Sequence, residues 1–423
     1  MANLDNIWQQ SIWMLYGQGI AVAFQALYFI LIGRTLGSNE YGAFVGVVAL
    51  VNVLSQFSSL GMEMILVRNI SRDPSSFAST WGMALRTSAY GFIALLTIAM
   101  VIGHLALRPQ LQILIPYIAF SDGLLGKFVQ LASRAFQGAR QLANTAKLTA
   151  LMNATRTTAA LVLFTFARVT HIRPTVQMWT RVYWVSSLVT AMIALVMVTK
   201  ALGKPKFKRM SLRELTDGLS FSLSSSSISA YNDIDKTFLV SSGQFHAAGI
   251  YSAAYRIIDI ASIPIYAIYT AASPQFFRDG ERGIRHSVSL ANRLLKRTIP
   301  YGVIFAVSLF IASPLLPYLF GRSFQGSSEA LRWLCLLPLI RGLHYAWGTA
   351  ITGASSQWYR TGTQLSAAIL NIMLNAFWIP RWSWHGAAVA SVLTDGMLAA
   401  SSWCVVWWLR TREQSRHVAT QVA

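Results

Sequence analysis

Residues 185–199 read VSSLVTAMIALVMVT, fifteen positions without a charge, and residues 204–220 read KPKFKRMSLRELTDGLS, the most basic connection in the chain. With the residues before it, the uncharged run reaches the roughly 20 positions that a helix needs to cross a bilayer. It therefore reads as a spanning helix over 178–199. The basic connection divides the 423 residues almost in half.

The whole chain has the same character. It is 54% apolar before its 28 glycines are added, and only 12% charged. Soluble domains average roughly 45–50% apolar with glycine included and ~25% charged. These departures exclude a soluble globular enzyme and a disordered chain. At ~35 residues for each span and its loop, the length holds about twelve spans and leaves nothing for a folded domain outside the membrane. Apolar runs predict spans at 12–32, 43–63, 84–104, 111–132, 148–167, 178–199, 219–241, 250–273, 299–320, 330–352, 362–380 and 386–409. The seventh contains LSFSLSSSSISAYNDIDKTFLVSS and is so polar that its neighbours and spacing argue for it.

The net charge is +20, and its placement matters more than its size. Twenty-one Lys and Arg fall in the even-numbered connections and the C-terminal tail, against Arg34, Arg108, Arg168, Arg173, Arg322 and Arg381 in the odd-numbered ones. By the positive-inside rule both termini are expected to be cytoplasmic. The basicity is then a topology signal helped by anionic membrane lipids, and no nucleic-acid partner is expected. The start, MANLDNIWQQ, lacks a basic n-region and a cleavage site, and reads as mature protein. Cys335 and Cys404 lie in different spans with no metal or redox spacing.

Six spans fall on each side of the basic connection, giving an N-terminal bundle over 1–200, a linker over 201–218 and a C-terminal bundle over 219–423. The first hairpin of each half has the same shape: LGSNEYGAF over 36–44 and SGQFHAAGIY over 242–251. Each has a Gly, a short polar turn, then Gly-x-aromatic entering the next helix. The expected fold is an all-α integral membrane protein with two six-helix bundles related by a pseudo-two-fold axis along the membrane normal.

Eight cations remain inside or at the edge of predicted spans: Arg86, Lys127, Arg156, Arg181, Lys236, Arg256, Arg332 and Arg341. Each costs about 2.5–3.5 kcal/mol near the centre of a lipid-facing helix. Arg86, Arg181 and Arg332 lie close enough to span ends to snorkel. The other five need carboxylates or a water-filled cavity. The acidic residues within spans, Glu63, Asp122, Asp233, Asp235, Asp259 and Asp395, are too few on this count for full pairing, above all in the N-terminal half. Arg256 and Asp259 are spaced to pair along one helix, and Asp233 or Asp235 can neutralise Lys236. The apparent surplus points to an anion-accepting cavity, and local ion pairing is the competing structural reading. Span four carries a polar stripe of Lys127, Gln130, Ser133, Arg134 and Gln137, and span five adds Asn153 and Arg156, as cavity lining or as interhelical glue. Span eleven offers Gln364, Asn371 and Asn375, which read as glue. The serine-rich start of span seven permits close approach or local unwinding before Asn232, Asp233 and Asp235, so a gating helix or ion-coupling group is expected there, with Asp259.

No P-loop, zinc motif or catalytic triad spacing appears, and no cofactor is expected. No large outward loop exists to house an active site.

The stretch IGRTLGSNEYGAFVGVVALVNVLSQFSSLGMEMILVRNISRD over 32–73 resembles the opening of the polysaccharide-exporting flippases. These are the Wzx-type, O-antigen branch of the multidrug/oligosaccharidyl-lipid/polysaccharide exporter superfamily. NDIDKTFLVSSGQFHAAGIYSAAYRI over 232–257 resembles their span-seven-to-eight signature. The resemblance implies a transporter, not an enzyme. It would move an undecaprenyl-pyrophosphate-linked oligosaccharide across the bacterial cytoplasmic membrane for O-antigen or exopolysaccharide synthesis, with the polymerase and chain-length proteins of the same pathway as partners. By motif match, Arg34, Gly37, Glu40, Tyr41 and Gly42 form the first signature hairpin, and Asp235, Gly249, Tyr251 and Arg256 the second. The charge argument assigns Lys127 and Arg156, helped by Arg86, Lys236, Arg256 and Arg341, to a cationic cavity that alternates its opening. The rival readings are a multidrug-extruding antiporter of the same superfamily, which needs carboxylates for cations, and a membrane polysaccharide polymerase or ligase.

Overall fold

Helices account for nearly all of the chain. A computed structural model describes residues 4–354 and 357–422, with side chains described for 19–212, 214–273, 275–354 and 358–415, and no strand occurs among the described residues. In order the helices are α1 (Leu4–Ser55), α2 (Met62–Arg72), α3 (Phe77–Ala106), α4 (Pro109–Gln112) and α5 (Leu114–Ile118). After a π-helical turn at Ala119–Leu125 come α6 (Gly126–Gly138), α7 (Leu142–Thr170), α8 (Val176–Leu202), α9 (Leu212–Ser241) and α10 (Phe245–Glu281). The last five are α11 (Ile284–Ala312), α12 (Leu316–Phe320), α13 (Ser327–Leu334), α14 (Leu337–Gly353) and α15 (Gln357–Val422).

Five stretches are long and apolar enough to cross a membrane: Gly19–Ser55, Pro74–Ala106, Val176–Leu202, Ile284–Phe320 and Trp358–Ser415. A sixth counts if the pair Phe245–Ser273 and Gln275–Glu281, bent by 47°, is one span. The sequence places twelve spans on the same chain, and the difference has physical causes. Two long helices each hold two of the expected spans, bent where the backbone leaves helical geometry at Gly37 (φ 72) in α1 and at Ser383 (φ 54) in α15. The expected span over 43–63 stops at Ser55, and a turn with left-handed Leu60 and Gly61 leads into the short helix α2. The expected span over 111–132 is divided among α4, α5, the π turn and α6. The serine-rich part of span seven is helical throughout, so of close approach and local unwinding the second does not occur: Ser227 bonds back to the Leu223 carbonyl of its own helix, and Ser226 reaches the Val53 carbonyl of α1 at 3.0 Å.

Contacts group the chain into two compact units, residues 1–229 with 243–249, and residues 230–242 with 250–423. Of the expected linker over 201–218, only 203–211 is non-helical. The first unit is built around Met62, Ile65 and Leu66 of α2, packed with Trp81, Phe136, Leu148 and Ala194 from α3, α6, α7 and α8. The second is built around Ile265, Tyr269 and Phe276 of α10, with Val288, Ala346, Ile351 and Val406 from α11, α14 and α15. Side chains such as Leu105 and Ile311 stay 80% and 71% exposed. That pattern suits a protein whose outer solvent is hydrocarbon rather than water.

Residues 243–249 of the second hairpin belong to the first unit and pack on the first hairpin, and glycine makes the contact feasible. A Cβ at Gly249 would lie 2.0 Å from the Ser38 carbonyl oxygen, and one at Gly42 would lie 1.9 Å from that of Phe245. Ser38 Oγ and His246 Nδ1 then share a hydrogen bond of 2.6 Å. Glu40 Oε2 accepts from the Val176 N–H at 2.7 Å, placing a carboxylate on the positive end of α8. Tyr41 is fully buried, and Arg34 is exposed. Glu40, Tyr41 and Gly42 of the first hairpin therefore have local packing and capping duties.

Candidate functional site

The polar stripe of α6 exists because its hydrogen-bonding residues recur at steps of three and four, which stack on one helix face. That face lines a cavity of about 480 Å³ inside the first unit, within the ~300–1,000 Å³ range of small-molecule sites. Lys127, Gln130, Ser133, Arg134 and Gln137 line it from α6. Gln56 and Glu63 contribute from the turn before α2 and its start, Thr145 and Thr149 from α7, and Ser222 and Ser225 from α9. The cavity-lining reading of the span-four stripe is the one the geometry favours.

Lys127 is buried, and its Nζ donates to Glu63 Oε1 at 3.0 Å and Gln56 Oε1 at 3.3 Å. Glu63 also accepts from Ser59 Oγ at 2.7 Å. Arg134 differs: it is exposed, and it donates to the neutral Gln137 Oε1 at 2.7 Å. Ser222 Oγ is buried in the cavity wall with no hydrogen-bond partner among the described residues. The cavity is thus rich in amide and hydroxyl groups and has one cation held by a carboxylate and a second that is not.

The expected surplus of unpaired cations is corrected here. Arg156 does not reach the cavity: its Nη2 lies 2.7 Å from Asp122 Oδ1, and its guanidinium sits 4.7 Å from the centre of the Tyr183 ring. Tyr183 donates its hydroxyl to the same carboxylate oxygen at 2.7 Å. The π turn makes this possible, because its extra residue shifts helical register, and it sets Asp122 where α7 and α8 can reach it. Arg86 is half-buried against the Tyr90 ring and lines a different recess with Lys208 and Arg209 of the non-helical segment. Arg181 and Arg332 are exposed, and Arg332 donates to Ser313 Oγ at 2.9 Å. Asn153 bonds to the Thr149 carbonyl of its own helix.

In the second unit the remaining deep cations form one network. Lys236 is fully buried, with Nζ 2.7 Å from Asp233 Oδ1 and 3.6 Å from Asp235 Oδ1. Asp235 accepts from Tyr251, whose hydroxyl also lies 2.9 Å from Ser391 Oγ. Arg341 reaches Asp259 at 3.1 Å, Asp395 at 3.4 Å, Asn232 Oδ1 at 3.1 Å and the Tyr255 hydroxyl at 2.7 Å. Arg256 lies 3.5 Å from Asp259 on its own helix. All five deep cations therefore have a carboxylate. Sequence reasoning counted acids against bases in each half and missed that Asp259 serves two arginines while Lys236 and Arg341 each hold two carboxylates. Asp395, Tyr255 and Ser391 belong to this network as well; in the sequence Asp395 is a lone aspartate in span twelve, Tyr255 lies within the 232–257 stretch, and nothing marks Ser391.

Span eleven behaves as glue. Asn371 donates to Thr394 Oγ1 at 3.1 Å and Asn375 to Asn371 Oδ1 at 2.7 Å, all buried. Cys335 and Cys404 are free thiols. No cluster of metal-ligating side chains occurs among the described residues.

Comparison with known proteins follows from this geometry. No curated protein sequence matches the chain. Residues 7–278 match the family described as polysaccharide biosynthesis protein. Among solved structures, the chain is similar to an inward-facing multidrug resistance MATE family transporter of the MOP superfamily, at a TM-score of 0.70 and 16% identity over 92% of this chain and 95% of that one. It is similar to the lipid II flippase MurJ in an inward closed conformation, at 0.72 and 11% identity over 93% and 87%. A MOP superfamily transporter from Pyrococcus furiosus matches at 0.63 and 16% identity, over 96% of each chain. The chain belongs to the polysaccharide biosynthesis protein family and has the multi-pass membrane fold of the MOP superfamily of transporters.

Proposed function

We propose that this chain flips an undecaprenyl-pyrophosphate-linked oligosaccharide across a bacterial cytoplasmic membrane for cell-surface polysaccharide synthesis, with both termini cytoplasmic. The observation that carries the reading is the cavity of the first unit, where amide and hydroxyl side chains from α6, α7 and α9 surround one exposed arginine. Gln130, Gln137, Thr149 and Ser222 offer the donors and acceptors that sugar hydroxyls exchange for water. Arg134 has a guanidinium fork suited to a phosphate. Lys127 uses two donors on Glu63 and Gln56 and keeps a third. Family membership supports the polysaccharide class, and the likeness to MurJ supports a lipid-linked passenger. Alternating exposure of the cavity would carry the head group outward, and a negative interior favours that direction by ~2.3 kcal/mol per charge per 100 mV. In this reading the network of Asn232, Asp233, Asp235 and Asp259 holds the gating helix.

The test is genetic complementation. A strain lacking the protein should accumulate unexported lipid-linked sugar, and the unaltered chain should clear it. Arg134→Gln should leave membrane insertion normal and the lipid-linked sugar uncleared. Normal export by that variant would remove the cavity from the transport step. A second reading, extrusion of cationic drugs, has one observation in its favour: Glu63 lines the same cavity. It predicts dye efflux that Glu63→Gln abolishes and no accumulated lipid-linked sugar in the deletion strain.

A further inference from the structure

One face of α11 changes character within a single turn. Arg285, Ser289, Asn292, Arg293 and Lys296 follow one another at steps of one to four and line a groove of about 350 Å³ against Arg410 of α15. Continuing along the same face, Ile299, Val303, Val307 and Phe310 are all exposed. Helix α15 repeats the change: Trp403 and Trp407 are exposed at 50% and 59%, and Arg410 follows at the next helical step. Both helices thus present apolar side chains below the groove and cations in it. Among the described residues no carboxylate lines the groove. The acidic side chain near it, Glu413, is turned to the start of α11, where it accepts from the Arg285 N–H at 3.3 Å.

Four cations brought together without a carboxylate repel one another, so an occupant with negative charge lowers the energy of the folded protein. Exposed tryptophans next to the cations mark the level of lipid head groups. A soluble anion would explain the cations and leave the apolar rails on both helices unexplained. We infer that the α11–α15 groove is a binding site for an anionic phospholipid of the surrounding bilayer. Its phosphate lies among Arg293, Lys296 and Arg410, and its acyl chains run along Ile299, Val303 and Trp407. The charge count favours a head group with two phosphates over one with a single phosphate. This site is separate from the cavity of the first unit and does not rest on the proposed transport function.

Lipid binding to the full-length chain, purified in detergent, is the experiment. Cardiolipin, phosphatidylglycerol and phosphatidylcholine are titrated and followed by native mass spectrometry, with inorganic pyrophosphate as the soluble competitor. Cardiolipin should bind tightest and phosphatidylcholine weakest. The double substitution Arg293→Gln/Lys296→Gln should weaken cardiolipin roughly ten- to thirty-fold, taking the contribution of each cation near a lipid surface at its usual size. Both residues are exposed, so the variant should fold as the parent does, which its unfolding temperature without lipid checks. Trp407→Ala keeps the cations and should weaken cardiolipin several-fold. Equal binding of cardiolipin by the double variant and the parent overturns the proposal. So does equal binding of phosphatidylcholine and cardiolipin by the parent, or displacement of cardiolipin by pyrophosphate at equal concentration.

Discussion

Two regions of this molecule bury a cation against a carboxylate, and they do so to different ends. In the first unit, Lys127 and Glu63 form one pair whose surroundings open onto a cavity of about 480 Å³. In the second, Lys236 and Arg341 share Asp233, Asp235, Asp259 and Asp395 with the hydroxyls of Tyr251 and Tyr255. The first arrangement leaves polar groups facing a cavity. The second spends its donors internally and holds α9, α10, α14 and α15 together. A buried charge is therefore a poor marker of a binding site until its partners are known. The useful marker is a polar side chain beside a cavity whose hydrogen-bonding capacity is not used up.

The largest effect should come from breaking the network. Arg341→Met takes the guanidinium from Asp395, which is 2% exposed and keeps only the His344 ring at 3.6 Å among the described ion-pair partners, and removes a partner of Asp259. Removing one member of a buried pair costs about 3–5 kcal/mol, so the variant should show a strongly lowered unfolding temperature in detergent and poor yield. Adding Asp395→Asn should recover part of the loss, and full stability in Arg341→Met alone would refute the structural role. Next comes the cavity pair. Lys127→Met should cost less, about 1–3 kcal/mol, because Glu63 keeps its bond from Ser59. Export should fall more than tenfold, and the double substitution Lys127→Met/Glu63→Gln should restore stability without restoring export. Recovery of export in the double variant would make the pair purely structural. A third test concerns Asp122→Asn, which takes the charge partner from Arg156 and weakens the bond from Tyr183. We expect a loss of about 1–2 kcal/mol with export following stability and nothing more. The smallest effect on stability belongs to Arg134→Gln, within about 0.5 kcal/mol for an exposed side chain, yet export should drop about tenfold. That split between stability and transport is what separates the two regions.

Much of the fold was legible because it depends on periodicity and composition. The run over 185–199 is helical and packed as expected, and the α6 stripe lines a cavity because three- and four-residue spacing fixes a face. The paired hairpins were legible from glycine spacing, although their direct contact was not. What the sequence hid lies between distant residues. Lys127 and Glu63 are 64 positions apart, and Arg341 and Asp259 are 82 apart. A tally of acids and bases cannot show that one carboxylate serves two arginines. Nor does composition reveal that a π turn carries Asp122 toward Arg156. Arg134 is visible in the stripe, but only the structure shows that it differs from the deep cations in having a neutral amide as its partner.

The π turn at Ala119–Leu125 has a further consequence for how this segment can change. It contains one residue more than an α-helical path needs, and that residue sets the rotation of everything on one side of it against the other. Deleting a single position there would give a more regular helix and swing Asp122 by about 100° away from Arg156 and Tyr183. Shortening the chain at this point would thus make local geometry better and the protein worse, so the segment should tolerate replacement of its side chains more readily than any change in its length.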